Sequence, residues 1–241
     1  MSSLIERKRL INKRFGTIDE GVLGNVEDVV EITWPDISEE YEVNGSKLIY
    51  KLIKDIDASA DRIAEIFNNG FYEMVHNTNK EWHLYSEKIV EKVRTGDYNF
   101  YGCYLGDELI AAESMAIHRG DRIMEWCSGC VDPVYRGKGV WRYIGVYNNL
   151  IVEKSGAHFG FVWVITSHRY SQMAAERAGY VVMGCAPGML FYGGMDKRYY
   201  RPVIIMYGKL YDAGRKHMQN WESVLLTEQS EKLVSLVRES F

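Results

Sequence analysis

The residues FGFVWVIT at 159–166 form one of the longest apolar runs in this chain. A strand that is apolar on both faces must be covered on both faces, so the run predicts a strand buried between two layers. Helical patterns lie on either side of it, at 140–156 and 170–180. Three antiparallel strands are predicted before this unit and a hairpin after it. Together these elements predict a three-layer α/β domain.

The segment before this unit contains alternating strand patterns and two amphipathic helices. Strands are predicted over 47–54, 98–105, 108–118 and 122–131, and the second and third are joined by a turn at Gly106-Asp107. Helices are predicted over 57–70 and 81–96, each ending at a glycine. The final strands are expected at 180–185 and 201–210.

The ends of the chain have a different character. Residues 1–45 are predicted to be an extension with an amphipathic helix over 4–15 and a strand over 26–36 that ends at Pro35. Residues 46–211 form the predicted core domain, and 212–241 form a C-terminal helical extension. Two alternatives stay open for that last helix: it packs on the N-terminal extension, or it joins a second copy in a homodimer.

Composition excludes several classes of function. The net charge is -4 and the pI is about 5.9, without a dominant run of Lys and Arg, so nucleic acid is not the expected main partner. No apolar run is long enough to span a bilayer, and the N-terminus has no apolar signal core, so a cytoplasmic protein is expected. Cys127 and Cys130 form a lone C-x-x-C, which predicts buried thiols on a strand more than a redox pair, and no metal site is expected.

The sequence Arg136-Gly137-Lys138-Gly139 lies between a predicted strand and a predicted helix. Unpaired amides at a helix N-terminus attract anions, and glycines let a phosphate approach the backbone. The loop therefore predicts a phosphate site. It lacks the Walker pattern and the third glycine of a dinucleotide fingerprint, so neither of those nucleotide sites is expected.

The sequence VDPVYRGKGV, followed by an amphipathic helix, an apolar strand and SQMAAERAGY, resembles the GNAT acyltransferase superfamily. The family motif Q/R-x-x-G-x-G/A corresponds to 136–141, and the terminal Gly-Phe/Tyr corresponds to Gly179-Tyr180. A His-x-Tyr-Ser-Gln stretch before the last core helix, 168–172, resembles one branch of that family. The resemblance covers roughly residues 47–211.

The resemblance implies a twisted mixed sheet that splays between its fourth and fifth strands, flanked by helices. It also implies acetyl-CoA, or another acyl-CoA, as co-substrate in the splay. The pyrophosphate would lie on the loop amides and the pantetheine arm would pair with the preceding strand. The Trp141 indole would either flank the pyrophosphate or pack under the loop. The residues expected to bind acyl-CoA are Cys130, Val131, Asp132, Arg136, Gly137, Lys138, Gly139, Val140, Trp141, His168, Ser171 and Gln172. For Ser171, an N-cap role is the alternative.

The expected chemistry is direct attack by an amine on a thioester, for which a general base is useful. Glu125, on the strand before the loop, is the predicted base, and Glu113 on the neighbouring strand is its competitor, because a one-residue slip exchanges the faces of a strand. The usual acid of the family, a Tyr four residues before the final Gly, is replaced by Ala175. Tyr170 and His168 are the candidates for its role.

These residues favour an N-acetyltransferase that acts on the primary amine of a small molecule. Aromatic residues in the first two helices and the last hairpin are expected to line the acceptor pocket or the core around it: Phe67, Phe71, Tyr72, Trp82, Tyr85, Phe191, Tyr192, Tyr199 and Tyr200. Two alternatives remain, an acyl-CoA-binding regulatory domain without turnover, which Ala175 favours, and a protein N-acetyltransferase.

Overall fold

A computed structural model describes residues 20–24, 30–75, 80–193, 198–221, 224 and 226–239. The helix predicted over 4–15 lies outside these residues. The strands of the described residues are β1 (Ser38–Val43), β2 (Ser46–Leu52), β3 (Tyr98–Leu105), β4 (Glu108–His118), β5 (Ile123–Val131), β6 (Phe159–Ile165), β7 (Val181–Pro187), β8 (Tyr192–Gly193), β9 (Tyr199–Tyr200) and β10 (Val203–Leu210). Eight of them form one mixed sheet in the order β1-β2-β3-β4-β5-β6-β10-β7. The short strands β8 and β9 pair with each other in a separate sheet.

Helices cover both faces of the sheet. They are α1 (Ile56–Val75), α2 (Ser86–Arg94), α3 (Ile144–Ser155), α4 (Tyr170–Arg177), α5 (Asp212–Arg215) and α6 (Glu228–Arg238). Apolar side chains of α1 and α2 pack on one face, here called the α1 face, in a core that contains Phe67 and Phe100. Those of α3 and α4 pack on the other, the α3 face, with Met115 and Trp126. The predicted three-layer α/β architecture is confirmed.

The sheet splits between β5 and β6, the one parallel pair among its described strands. The two strands pair only from Ile123 to Trp126 on β5, opposite Phe159 to Val162 on β6. Both strands then continue without pairing, β5 to Val131 and β6 to Ile165. The register of β5 with β4 shifts just after Trp126, which leaves Cys127 as an extra residue, and such a bulge bends its strand. β5 and β6 are the fourth and fifth strands of the predicted domain, so the predicted splay is confirmed.

The N-terminal edge of the sheet differs from the prediction. Of the strand predicted over 26–36, residues 26–29 lie outside the described residues and 30–36 are irregular, and the first strand begins at Ser38, after Pro35. β1 pairs with β2 across a turn in which Asn44 and Gly45 both have positive φ, 54° and 77°. Asn-Gly is the preferred pair for this type of hairpin turn. The signal was therefore present in the sequence, and the prediction placed the strand on the wrong side of Pro35.

Two helix boundaries also differ. α1 continues through Gly70 to Val75 instead of ending at Gly70. A Cβ at Gly70 would overlap the guanidinium of Arg136 and lie 2.6 Å from Cys130 Sγ, so this glycine serves close approach and not helix termination. α3 begins at Ile144, several residues after the loop, because 136–143 form successive turns.

The C-terminal helix α6 contacts β7, the edge strand of the sheet. Leu233 and Leu236 on α6 are 52% and 70% exposed. The homodimer predicted for the terminal extensions stays a prediction. Across the described ranges, no helix has both the length and the apolarity that crossing a membrane would require.

Candidate active site

The glycine loop between β5 and α3 lies at the open end of the splay. Gly137 and Gly139 have φ of +73° and +81°, a region that residues with a Cβ rarely adopt. The carbonyl oxygens of Lys138 and Val140 accept hydrogen bonds from β1 and its turn, Asn44 Nδ2 at 3.3 Å and Tyr41 Oη at 2.8 Å. Among the described residues, the five amides from 137 to 141 donate to no protein acceptor. The loop thus presents consecutive free N–H groups.

The two cations of the loop point in different directions. The guanidinium of Arg136 donates to Gly70 O at 2.6 Å and to Val131 O at 3.2 Å, which ties the loop to α1 and β5. Lys138 is exposed, with its ammonium 5.0 Å from the centre of the Tyr135 ring. Lys138 is therefore the loop cation that remains available to an anion.

Trp141 packs under the loop. A Cβ at Gly129 on β5 would overlap the indole ring of Trp141 and would lie 3.2 Å from Cβ of Glu113. The indole therefore covers the backbone of β5 at a position where only glycine fits. Of the two arrangements expected for Trp141, the structure adopts the packed one.

The strand segment expected to pair with pantetheine is hydrogen-bonded to β4 along its other edge. The amide of Asp132 donates to Ile110 O at 3.0 Å. The Asp132 carboxylate accepts from Arg62 Nη2 at 2.7 Å and caps the turn at Val134. Cys130 is buried, and burial raises the pKa of its thiol to about 11. The edge of β5 from Cys127 to Val131 that faces β6 is the unpaired one, because pairing stops at Trp126.

Glu125 lies on the α1 face, two residues before the bulge. It alternates with Met124 and Trp126, which belong to the α3-face core, and its register partner on β6 is Phe161. Its carboxylate lies 3.0 Å from His118 Nε2, and its side chain is only 16% exposed. A hydrogen-bonding imidazole therefore lies beside the predicted base. His118 was not singled out from the sequence, since only sheet pairing brings it beside Glu125.

Glu113 lies on the opposite face from Glu125. It is 4% exposed and accepts from Tyr50 Oη and from Asn148 Nδ2, the latter at 3.0 Å. Burial raises the pKa of Glu113 to about 8, although both hydrogen bonds oppose the shift. The side chain is enclosed between the sheet and α3, so the two candidate carboxylates occupy different layers of the protein.

Ser114 follows Glu113 on β4 but lies on the α1 face, where it contacts a second buried polar side chain, His83. His83 is fully buried, with Nε2 2.7 Å from Ser114 Oγ and Nδ1 2.8 Å from Lys80 O. A carbonyl oxygen only accepts, so Nδ1 carries the proton and Nε2 accepts from Ser114. Burial lowers the pKa of His83 to about 3. Lys80 in turn donates through Nζ to Cys127 O, at 2.7 Å, which is the carbonyl of the bulge. Sequence reasoning assigned no role to this group.

The residues after β6 lie together at the start of α4. The rings of His168 and Tyr170 are 5.7 Å apart, and Tyr170 is 77% exposed. His168 Nδ1 is buried without a partner among the described residues, and Gln172 donates to His168 O at 3.2 Å. The N-cap of α4 is Arg169, so Ser171 lies in the first turn and is not the cap.

The structure does not bring the proposed base and acids into contact. Phe161 is the partner of Glu125, and β6 runs four residues further to Ile165, which is roughly 13 Å of strand. His168 and Tyr170 follow beyond that end. Ala175, which replaces the usual tyrosine, is fully buried in the α3-face core. Glu125 thus lies at the closed end of the splay, and His168 and Tyr170 lie at its open end.

The aromatic residues expected around the acceptor pocket divide into two groups. Phe67 and Tyr192 are buried, whereas Tyr199 and Tyr200 are 64% and 50% exposed. β8, which contains Tyr192, contacts α1. In the part of the chain that the structure describes, no group of three or more His, Cys, Asp or Glu side chains is arranged to hold a metal ion.

No family model and no curated protein matches this sequence. Solved structures do match. A ribosomal-protein-S5-alanine acetyltransferase from Vibrio fischeri is 19% identical, with a TM-score of 0.57 over 73% of this chain and 98% of that one. A Mycobacterium smegmatis RimJ in complex with CoA-disulfide is 11% identical, with a TM-score of 0.56 over 78% and 95%. A spermidine N-acetyltransferase from Vibrio cholerae is 14% identical, with a TM-score of 0.54 over 68% and 93%. The chain therefore has the GNAT acetyltransferase fold, as the sequence predicted.

Proposed function

We propose that this protein is an acyl-CoA-dependent N-acyltransferase that transfers an acetyl group to the primary amine of a small molecule. The observation that carries the proposal is the splay between β5 and β6, which opens beside a loop with five consecutive unpaired amides. Consecutive backbone N–H groups in a glycine-containing loop of this kind suit a pyrophosphate. The acetyltransferases of the same fold, one of them bound to a CoA-disulfide, support the donor, although their low identities leave the acceptor open.

The chain's residues fit an acyl-CoA donor in three places. The loop amides from 137 to 141 and the Lys138 ammonium would bind the phosphates. The free edge of β5 from Cys127 to Val131 would pair with the pantetheine arm. His168, Ser171 and Gln172, at the start of α4, would contact the arm from the β6 side.

The reaction would be direct acyl transfer. When bound, acyl-CoA supplies an activated thioester, whose C–S bond breaks as the N–C bond forms. Glu125 would accept the proton that the amine must lose, directly or through one water, with His118 as its partner. Backbone N–H groups at the Cys127 bulge would donate to the carbonyl oxygen as negative charge develops. The departing thiolate would take a proton from water, because His168 and Tyr170 lie at the open end of the splay, beyond about 13 Å of strand from the partner of Glu125.

A regulatory domain that binds acyl-CoA without turnover is the second candidate. The observation that favours it is Ala175, which is buried and has no group to protonate a thiolate. A protein N-acetyltransferase is a third candidate, since the Vibrio fischeri neighbour bears the name of one. The cytoplasmic location and the boundaries of the predicted core domain, 46–211, stay predictions.

Release of CoA from acetyl-CoA, measured across a panel of small amines, tests the proposal. Release that depends on the amine, with the N-acetylated amine as product, is expected. A rise in thermal stability with CoA, but no release with any small amine or with peptides that have free N-termini, would indicate the regulatory domain. Release with the peptides alone would indicate the protein acetyltransferase.

A further inference from the structure

The glycine loop rests against a hairpin that precedes the predicted core domain. β1 and its turn at 44–45 belong to the segment that the sequence assigned to the N-terminal extension. Val43, the last residue of β1, packs closely on the loop, because a Cβ at Gly139 would lie 2.8 Å from Val43 Cγ1. Tyr41 and Asn44 also form hydrogen bonds to the loop backbone. The hairpin therefore supports the loop through both packing and polar contacts.

Three consecutive carbonyl groups of the loop have specific donors. The contacts are Asn44 Nδ2 to Lys138 O at 3.3 Å, Arg142 N to Gly139 O at 2.9 Å and Tyr41 Oη to Val140 O at 2.8 Å. Every peptide bond in the described part of the chain is trans, and in a trans peptide the N–H points opposite to the C=O. Holding these carbonyl groups therefore fixes the directions of the next amides, those of 139–141. The hairpin sets the first and third of them, which point away from it.

The hydroxyl group of Tyr41 gives its single proton to the loop. Its ring packs 5.2 Å from that of Tyr143 and 5.4 Å from that of Tyr147, between centres, so the side chain is fixed in place. Burial raises the pKa of Tyr41 well above its usual value, and the hydroxyl therefore stays protonated. Its oxygen also lies 3.1 Å from Cys103 Sγ. Because a carbonyl oxygen only accepts, the hydroxyl donates to Val140 O and the thiol donates to the hydroxyl.

We propose that Tyr41 and Asn44 are positioning residues for the acyl-CoA donor, which hold the loop so that its free amides face the phosphates. The inference rests on the proposed function, because it takes the glycine loop as the phosphate site, and it makes the N-terminal extension part of the donor site. Neither side chain takes part in the chemistry at the thioester. Their loss is therefore expected to weaken binding of the phosphates and to leave the turnover of bound donor unchanged.

Tyr41→Phe tests the inference with two donors. S-acetylpantetheine has the same thioester and pantetheine arm as acetyl-CoA but lacks the phosphates. The variant is expected to raise KM for acetyl-CoA, and Kd for CoA in calorimetric titration, by about three- to tenfold, the usual net contribution of one hydrogen bond. The values of kcat for acetyl-CoA and of kcat/KM for S-acetylpantetheine are expected to stay unchanged.

Asn44→Gly removes the second contact without removing the turn. Asn44 has a φ of 54°, a conformation that glycine adopts without strain. The expected rise in Kd for CoA is smaller, about two- to fivefold, because the lost hydrogen bond is longer and exposed. The two residues hold different peptide groups, so the double variant is expected to lose CoA affinity by about the product of the two effects.

Tyr101→Phe is the matched control. Tyr101 belongs to the same α3-face core, and its hydroxyl donates to a backbone carbonyl, Pro35 O, at 2.9 Å, outside the loop. Urea denaturation is expected to show a comparable loss of stability in Tyr41→Phe and Tyr101→Phe. Only Tyr41→Phe is expected to change the Kd for CoA, which separates a positioning role from a general loss of stability.

Unchanged CoA affinity in both Tyr41→Phe and Asn44→Gly would overturn the inference. An equal loss in Tyr101→Phe, or an equal loss of kcat/KM with S-acetylpantetheine, would overturn it too. CoA binding without release with any amine would contradict the proposed function alone, and the Kd values of the variants would then decide the inference. Failure of the unaltered protein to bind CoA would overturn both.

Discussion

Glu113 and Ser114 are neighbours on β4, yet they belong to two differently built regions. On the α3 face, Glu113 bonds to Tyr50 and Asn148 beneath the glycine loop. On the α1 face, Ser114 bonds to His83, whose other ring nitrogen donates to Lys80 O. The first region buries a carboxyl group that favours its neutral form, and the second buries an imidazole that also favours its neutral form. One strand thus contributes neighbouring side chains to two separate buried polar clusters, one on each face of the sheet.

Removing the base should affect the α1 face alone. Glu125→Gln keeps the shape of the side chain but cannot accept the proton of the amine. Turnover is expected to fall by about 10²–10⁴-fold, the usual contribution of a general base, while CoA affinity is unchanged. Steady-state kinetics and calorimetric titration with CoA measure the two effects separately. Normal turnover would remove Glu125 from the mechanism.

Adding bulk to the loop should affect the α3 face alone. At Gly139, φ is +81°, and a Cβ would lie 2.8 Å from Val43 Cγ1. Gly139→Val is expected to weaken CoA binding on the order of a hundredfold, or about 2.7 kcal/mol, in calorimetric titration. Gly106→Val is the control, because Gly106 also has positive φ, +60°, but lies in the β3–β4 turn with nothing within 4 Å of its added Cβ. Normal CoA binding by the Gly139 variant would mean that the loop is not the phosphate site.

The two buried titratable groups should give opposite pH dependences of stability. Burial raises the pKa of Glu113 from 4.5 to about 8, so its stabilising contribution is complete below pH 4.5 and is lost as the pH rises towards 8. Burial lowers the pKa of His83 from 6.5 to about 3, so its contribution is complete above pH 6.5 and is lost as the pH falls towards 3. Each group changes the free energy of unfolding by at most about 1.4 kcal/mol per pH unit.

These opposite slopes can be measured by urea denaturation at several pH values. From these two groups alone, the free energy of unfolding is expected to be highest between pH 4.5 and 6.5, where the slopes cancel. Glu113→Gln should remove the decline between pH 6.5 and 8 and leave the acid side unchanged. His83→Gln should do the reverse. Identical pH profiles for the two variants would show that Glu113 and His83 do not cause the opposite slopes.

The smallest expected effect concerns the contact between Trp141 and Gly129. Gly129→Ala should destabilise the protein, because its Cβ would overlap the indole. In a Trp141→Ala background the same change should cost less, with a coupling free energy of about 1 kcal/mol. Trp141→Ala itself should lower stability and keep CoA affinity within about tenfold. Additive effects in this double-mutant cycle would show that the indole does not rest on β5.

Local sequence patterns determined the order of elements and the glycine loop, and the splay between two strands was expected from the resemblance to the GNAT superfamily. Apolar periodicity is a property of contiguous residues, and the positive φ of Gly137 and Gly139 is a demand that only glycine meets without strain. The apolar run at 159–166 likewise predicted, from its own residues, a strand covered on both faces. The turn at Asn44-Gly45 is an equally local signal. The strand was nevertheless predicted to end at Pro35, whereas β1 begins after it, at Ser38.

Only the tertiary structure decided which carboxylate faces which layer and which distant residues come into contact. A one-residue register difference separates the two faces of a strand, and register depends on pairing partners far along the chain. The contact from Arg136 to Gly70 spans 66 residues, that from Lys80 to Cys127 spans 47, and that from Tyr41 to Val140 spans 99. No periodicity encodes such distances. The sequence therefore specified the glycine loop, and folding alone brought these distant residues into contact.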